Sequence, residues 1–106
     1  MNTKYILEGK TPVPCNDLLK WGEFFNDQKK RRVAYTELGA VHVSTVFLGL
    51  DHGWGGRPLL FETMVFGGNN WDECERYSTW EEAEQGHQRM VQRVVAAGAP
   101  IQGRQW

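Results

Sequence analysis

Between two strongly apolar segments, Val41–Leu50 and Leu59–Phe66, the chain runs through Asp51, His52, Gly53, Trp54, Gly55, Gly56, Arg57 and Pro58. Glycines at 53, 55 and 56 permit positive φ and close backbone approach, so backbone N–H groups can turn inward as a nest for an anion. Arg57 is a bidentate donor to phosphate or carboxylate, and Trp54 offers a flat surface on which a base can stack. That combination suits a nucleotide. A purely structural reading competes with it: a hairpin loop needs glycines for its turns, Trp54 folds back over the sheet, and Arg57 pairs with a neighbouring acid. Both readings stay open, because the loop carries no Walker or dinucleotide pattern.

Other residues add to this set. Glu62, in the middle of LLFETMVF, is the charge that the apolar pattern least explains. A carboxylate there needs a partner or an elevated pKa, and Arg76 or Arg57 is the expected partner, in a structural ion pair more readily than as a general base. Trp80 is a second ring able to stack on a base. The candidate ligand-binding set is therefore His52, Gly53, Trp54, Gly55, Gly56, Arg57, Glu62, Arg76 and Trp80. His87 falls on an apolar helical stripe, where a satisfied core histidine is the usual case, and His42 alternates onto one face with Ser44 and Val46. No histidine pair has the spacing of a helical metal motif, and no Ser/His/Asp or Cys/His order with a nucleophile turn appears. No catalytic, metal or cofactor set follows from the residues, and an enzymatic reading would have to recruit Glu62, His52 or His87.

Elements to position these groups can be read from periodicity. Lys4–Glu8 is a short strand candidate, and Gly9–Pro14, with two prolines, forces an extended connection. Asn16 is the expected N-cap of a helix with Asp17 in its first turn and Leu18, Trp21 and Phe25 on one face. The run Lys29-Lys30-Arg31-Arg32 closes it as a solvated basic end, which the helix dipole favours. Arg32–Leu38 reads as a strand, Gly39-Ala40 as a tight turn, and Val41–Leu50 and Leu59–Phe66 as two further strands. Pairing the last two with Leu50 opposite Leu59 sets Leu48 against Phe61, Val46 against Thr63 and Ser44 against Val65. Gly67–Ser78, with Trp71 and Tyr77, reads as a polar connection. Thr79-Trp80-Glu81-Glu82 fits a capping box, and Trp80, Ala83, His87, Met90, Val91, Val94 and Val95 continue as a helical stripe up to Gly98 and Pro100.

The expected fold is thus a two-layer α+β domain, spanning residues 1–106, in the order β-α-β-β-β-α. A three- to four-stranded antiparallel sheet carries two helices on one face. In the register above both sheet faces are apolar, and two helices cover only one of them. The other face would then be buried in a homo-oligomer, or else beneath the N-terminal fourteen residues.

Composition excludes some classes. With 41% hydrophobic residues and five Trp and five Phe, the chain is too apolar and aromatic for disorder. A formal charge of -1 gives no global attraction to nucleic acid or to an anionic membrane surface. Cys15 and Cys74 lack metal-site spacing and read as free thiols in a reducing cytosol. No cationic segment leads into an apolar run at the start, and no apolar stretch is long enough to span a bilayer.

The segments VHVSTVFLGLDH, LLFETMVFGG and ERYSTWEEAEQGH, with YILEGKTPVP and DLLKW near the start, are similar to a family of small uncharacterised proteins encoded by bacteriophages and prophages. The resemblance covers nearly the whole chain. It implies expression in a host bacterial cytoplasm and brings no assigned activity with it. The resulting expectation is a non-enzymatic oligomeric phage protein, possessing no cofactor, that binds a small anionic ligand such as a host-defence nucleotide signal near the hairpin loop. Its alternative is an interaction module that docks on a host or virion protein through an apolar sheet face.

Overall fold

A computed structural model describes residues 4–67 and 73–98. Residues 68–72, which include Trp71, and the tail from 99 onward lie outside the described residues. The chain begins with a two-stranded hairpin, β1 (Tyr5–Glu8) and β2 (Thr11–Pro14), so the expected proline-rich connection is itself a strand. Pro12 and Pro14 are tolerated because, among the described residues, this small sheet has no third strand to ask for their missing donors. Helix α1 spans Leu18–Phe25. Its N-cap is Asp17 rather than Asn16: the Asp17 carboxylate accepts from Leu19 N and Lys20 N at 3.1 Å each. Asp27 caps a second, one-turn helix, α2 (Gln28–Arg31), which occupies most of the expected basic helix end. Arg31 does not extend into solvent. It donates to the carbonyls of Phe47 and Phe25 at 2.9 and 3.1 Å and ties this turn to the sheet.

Four antiparallel strands follow in the order β3 (Arg32–Leu38), β4 (Val41–Phe47), β5 (Phe61–Gly67) and β6 (Cys74–Tyr77). The α+β class and the order of strands and helices agree with expectation, with β2, α2 and β6 as additions. β6 falls inside the stretch read as a polar connection, where CERY offers too short an alternation to announce a strand. The hairpin register is shifted by one residue: Val46 lies opposite Glu62, Thr45 opposite Thr63 and Val43 opposite Val65. The reason is Gly49. At φ +79° it turns the chain away from β5, its carbonyl accepts from Tyr5 N at 2.9 Å and from Trp21 Nε1 at 3.0 Å, and Leu50 bridges to Lys4.

A one-residue shift regroups every side chain. Val41, Val43, Thr45 and Phe47 now share the inner face with Phe61, Thr63 and Val65, and all seven are buried. The outer face carries His42, Ser44, Val46, Glu62, Met64 and Phe66, a mixed set, so the expectation of two apolar faces is corrected. Helix α3 (Trp80–Ala96) covers the inner face, with Met90 and Val94 against Leu38, Val41, Val43 and Val65. The β1–β2 hairpin contributes Leu7, which packs with Phe47, Leu60, Phe61 and Ala83, and Phe24 of α1 joins them. The β1–β2 hairpin thus adds to the same core. Each large side chain so buried contributes about 1.5–3 kcal/mol of transfer free energy. The capping box at Thr79 and Glu82 is formed as its sequence requires. Among the described residues no helix is long and apolar enough to cross a membrane.

Candidate functional site

Asp51 organises the hairpin loop. Its carboxylate accepts from Gly53 N at 2.7 Å and from Leu59 N at 3.0 Å, while His52 N donates to the Leu59 carbonyl at 3.0 Å. The Gly53 donor that an anion nest would use is therefore held by the loop's own acid. Gly55, at φ +95°, has open space around it, and Trp54 is fully exposed at the tip and does not fold back over the sheet. Arg57 leaves the loop sideways towards α3. It grips Glu82 with both terminal nitrogens, Nη1 to Oε2 at 3.0 Å and Nη2 to Oε1 at 3.1 Å. The structural reading of Arg57, pairing with a neighbouring acid, thus describes the resting geometry.

Arg57 is not isolated. It lines a cleft of about 360 Å³ with Leu59, Arg76, Ser78, Gln85 and Arg89. Three arginines from three elements thus line one cleft: Arg57 from the loop, Arg76 from edge strand β6 and Arg89 from α3. Each rests on a carboxylate. Arg76 Nε donates to Glu62 Oε2 at 2.9 Å, and Arg89 approaches Glu75 at 3.8 Å. The expected Glu62–Arg76 pair is formed. It is a surface pair, and the thiol of Cys74 joins it, donating to Glu62 Oε2 at 3.2 Å. Partial burial, and then the Glu62 carboxylate, push the Cys74 thiol up to about 11, which keeps it protonated and a poor nucleophile at neutral pH. Both cysteines are free thiols.

The remaining expected site residues do not join the cleft. Trp80 meets Phe61 in a T-shaped contact at 6.2 Å with Lys10 over its ring at 5.7 Å, so the ring is engaged by the core and by Lys10. Its indole N–H is enclosed with no acceptor among the described residues. His52 is exposed in the loop, Glu62 belongs to the outer sheet face, and His87 is buried, so the three groups that an enzymatic reading recruits are not brought together. Gln85 and Arg89 were missed from sequence. The signal was available, since Glu82, Gln85 and Arg89 share one helical face at i, i+3 and i+7.

His87 has a different role. Its Nδ1 lies 2.7 Å from Thr45 Oγ1 and its Nε2 lies 2.9 Å from Thr36 Oγ1. Thr45 continues to Thr63 at 2.5 Å, and the Tyr77 hydroxyl donates to Glu75 at 2.9 Å and lies 3.2 Å from Thr63 Oγ1. Burial lowers the His87 pKa and raises that of Tyr77 to about 12, with Glu75 adding to the latter. This row of satisfied polar groups is sealed from solvent at His87, which makes it a structural network.

A larger groove of about 790 Å³ lies between the β1–β2 turn and α1. Its rim mixes Glu8, Glu23 and Asp27 with Lys20 and Lys30, and Lys30 already approaches Asp27 at 3.9 Å, so it presents no convergent set of one charge. The arginine cleft is smaller but chemically directed. Among the described residues no group of three or more His, Cys, Asp or Glu converges to hold a metal. Comparison with known proteins finds no matching family model, no similar curated protein and no similar solved structure.

Proposed function

We propose that this chain is a non-enzymatic binding protein that captures a small anionic ligand between Arg57, Arg76 and Arg89. The observation that carries this reading is that three arginines from separate elements line one cleft, with Gln85 and Ser78 as further hydrogen-bonding groups. Arginine presents paired donors that match phosphate and carboxylate oxygens. Because each arginine already rests on an acid, a ligand with two or more negative charges competes best. Trp54 and Trp80 stand outside the cleft, so recognition rests on the anionic part of the ligand and not on base stacking.

The resemblance to phage and prophage proteins supplies the setting of this proposal: a host bacterial cytoplasm, in which an oligomeric sponge sequesters a host-defence nucleotide. Thermal-shift measurements against ADP-ribose and a panel of cyclic dinucleotides test it. We expect a rise in melting temperature with at least one phosphate-bearing compound, and the loss of most of that rise in Arg57→Ala. A flat response across the panel, or an equal response in Arg57→Ala, contradicts the reading.

A second reading, docking through the sheet, is favoured by one observation. On the outer face Tyr35, His42 and Phe66 stack across three strands, with centroids 5.3 and 5.0 Å apart, and Tyr35 and Phe66 are each 42% exposed. A second copy of the chain seated there gives the homo-oligomer. Light scattering at micromolar concentration checks this: the proposal expects a dimer or larger species that Phe66→Lys dissociates, and a monomeric wild type contradicts it.

A further inference from the structure

We propose that Glu82 is the resident anion of the arginine cleft, and that a ligand binds by replacing it on Arg57 with an external carboxylate or phosphoryl group. This inference rests on the anion-binding reading of the cleft and specifies how that site is occupied. The two parallel contacts between Arg57 and Glu82, at 3.0 and 3.1 Å, have the fork-to-fork geometry in which a guanidinium receives a carboxylate or phosphate ligand. Glu82 therefore displays the chemistry that the position accepts.

The same carboxylate has a second set of donors. Glu82 Oε1 also accepts from Ser78 N at 3.1 Å and from Thr79 N at 3.2 Å. When Arg57 turns to a ligand, Glu82 keeps these contacts and stays in its capping role, so the exchange leaves no uncompensated carboxylate. Arg57 is free to turn. Its side chain is 64% exposed, Gly55 and Gly56 precede it in open space, and Asp51 holds the loop base independently of it. An exposed pair of this kind is held weakly against a competing ion. Glu82 thus sets a threshold: it keeps singly charged metabolites off Arg57 and yields to a ligand that engages Arg57 and Arg89 together.

The test uses the full chain and titration calorimetry with pyrophosphate at low salt, with citrate run beside it to separate phosphoryl from carboxylate ligands. Glu82→Gln retains an acceptor for Ser78 and Thr79, since glutamine serves equally in a capping box. Removing the competing charge is expected to lower the Kd for pyrophosphate about tenfold. Glu84→Gln, an exposed residue of α3 outside the cleft, removes the same charge from the chain and is expected to change the Kd by less than about twofold. A gain in Glu82→Gln no larger than in Glu84→Gln overturns the exchange while leaving the anion site standing. Failure of wild type, Glu82→Gln and Arg57→Ala alike to bind either probe overturns the anion site and the exchange with it. A readout on the unaltered chain stands beside the variant: Arg57 holds the Glu82 carboxyl below the usual carboxylate range, and its titration followed by carbon NMR is expected to move up when pyrophosphate is bound. An unmoved titration in the bound protein also overturns the exchange.

Discussion

Gly86→Ala is expected to lower the unfolding free energy by about 3 kcal/mol, even though alanine is the better helix former by about 1 kcal/mol. Gly86 is buried on the face of α3 that meets β6, and a Cβ added there would run directly into the ring and hydroxyl of Tyr77. Tyr77 is only 7% exposed and is held at its hydroxyl by Thr63 and Glu75, so it cannot withdraw without leaving those partners unsatisfied. The glycine is therefore the condition for close approach between helix and strand. Urea denaturation measures the loss directly, with the slope of the transition unchanged. Tyr77→Phe in the Gly86→Ala background removes one of the colliding atoms. It should recover part of the stability, giving a double-mutant coupling of roughly 1 kcal/mol or more. Simple additivity would contradict the steric account.

Acid sensitivity above the carboxylate range is the second large effect. His87 is 1% exposed, its two nitrogens meet hydroxyl groups of Thr45 and Thr36, and burial lowers its pKa from the ordinary 6.5. Below pH 6.5 the unfolded chain takes up a proton at this position that the folded chain refuses. The stabilisation is then complete above the unfolded value and is lost as the pH falls towards the folded one, at up to about 1.4 kcal/mol per pH unit. Glu75 and Glu82 are also lowered, Glu75 because Arg93 and Tyr77 together outweigh its burial and Glu82 by Arg57, but their contribution is lost only as the pH falls below the carboxylate value of 4.5. Between pH 6.5 and 5 the slope therefore belongs to the imidazole. Chemical denaturation across that window is expected to show it in the wild type and not in His87→Gln. An identical slope in both would contradict the assignment to His87.

Legibility in the sequence followed the strength of the local signal. The helix at Trp80–Ala96 was plain because a capping box, an apolar stripe and a terminal Gly98 agree, and the strands around Gly39-Ala40 were plain from β-branched alternation. The hairpin register was not, because alternation alone fits two registers. What decides between them is Gly49, whose turn is stabilised by Tyr5 and Trp21 from a distant part of the chain. That single shift changed the outer face from an apolar surface to a mixed one and removed the premise from which the homo-oligomer had been argued. Thr36, Thr45 and Thr63 looked like ordinary strand residues. Only tertiary packing brings their hydroxyls beneath His87, which was correctly read as a satisfied core histidine.

Of the expected site, Arg57 and Arg76 line the same cleft, whereas Trp54, His52 and Trp80 do not. Sequence proximity to glycines suggested a backbone nest, but the Gly53 donor is held by Asp51. The partner that completes the arginine set, Arg89, comes from a helix 32 residues further along the chain than Arg57, beyond the reach of any local pattern.

The most direct measurement of the central claim is a proton–nitrogen NMR spectrum of the arginine Nε–H groups during addition of pyrophosphate. Binding in the cleft predicts that Arg57, Arg76 and Arg89 shift together and saturably, while Arg31, bonded to the carbonyls of Phe25 and Phe47 away from the cleft, stays in place. Uniform small drifts of all arginines, or no shift at these three, would contradict it.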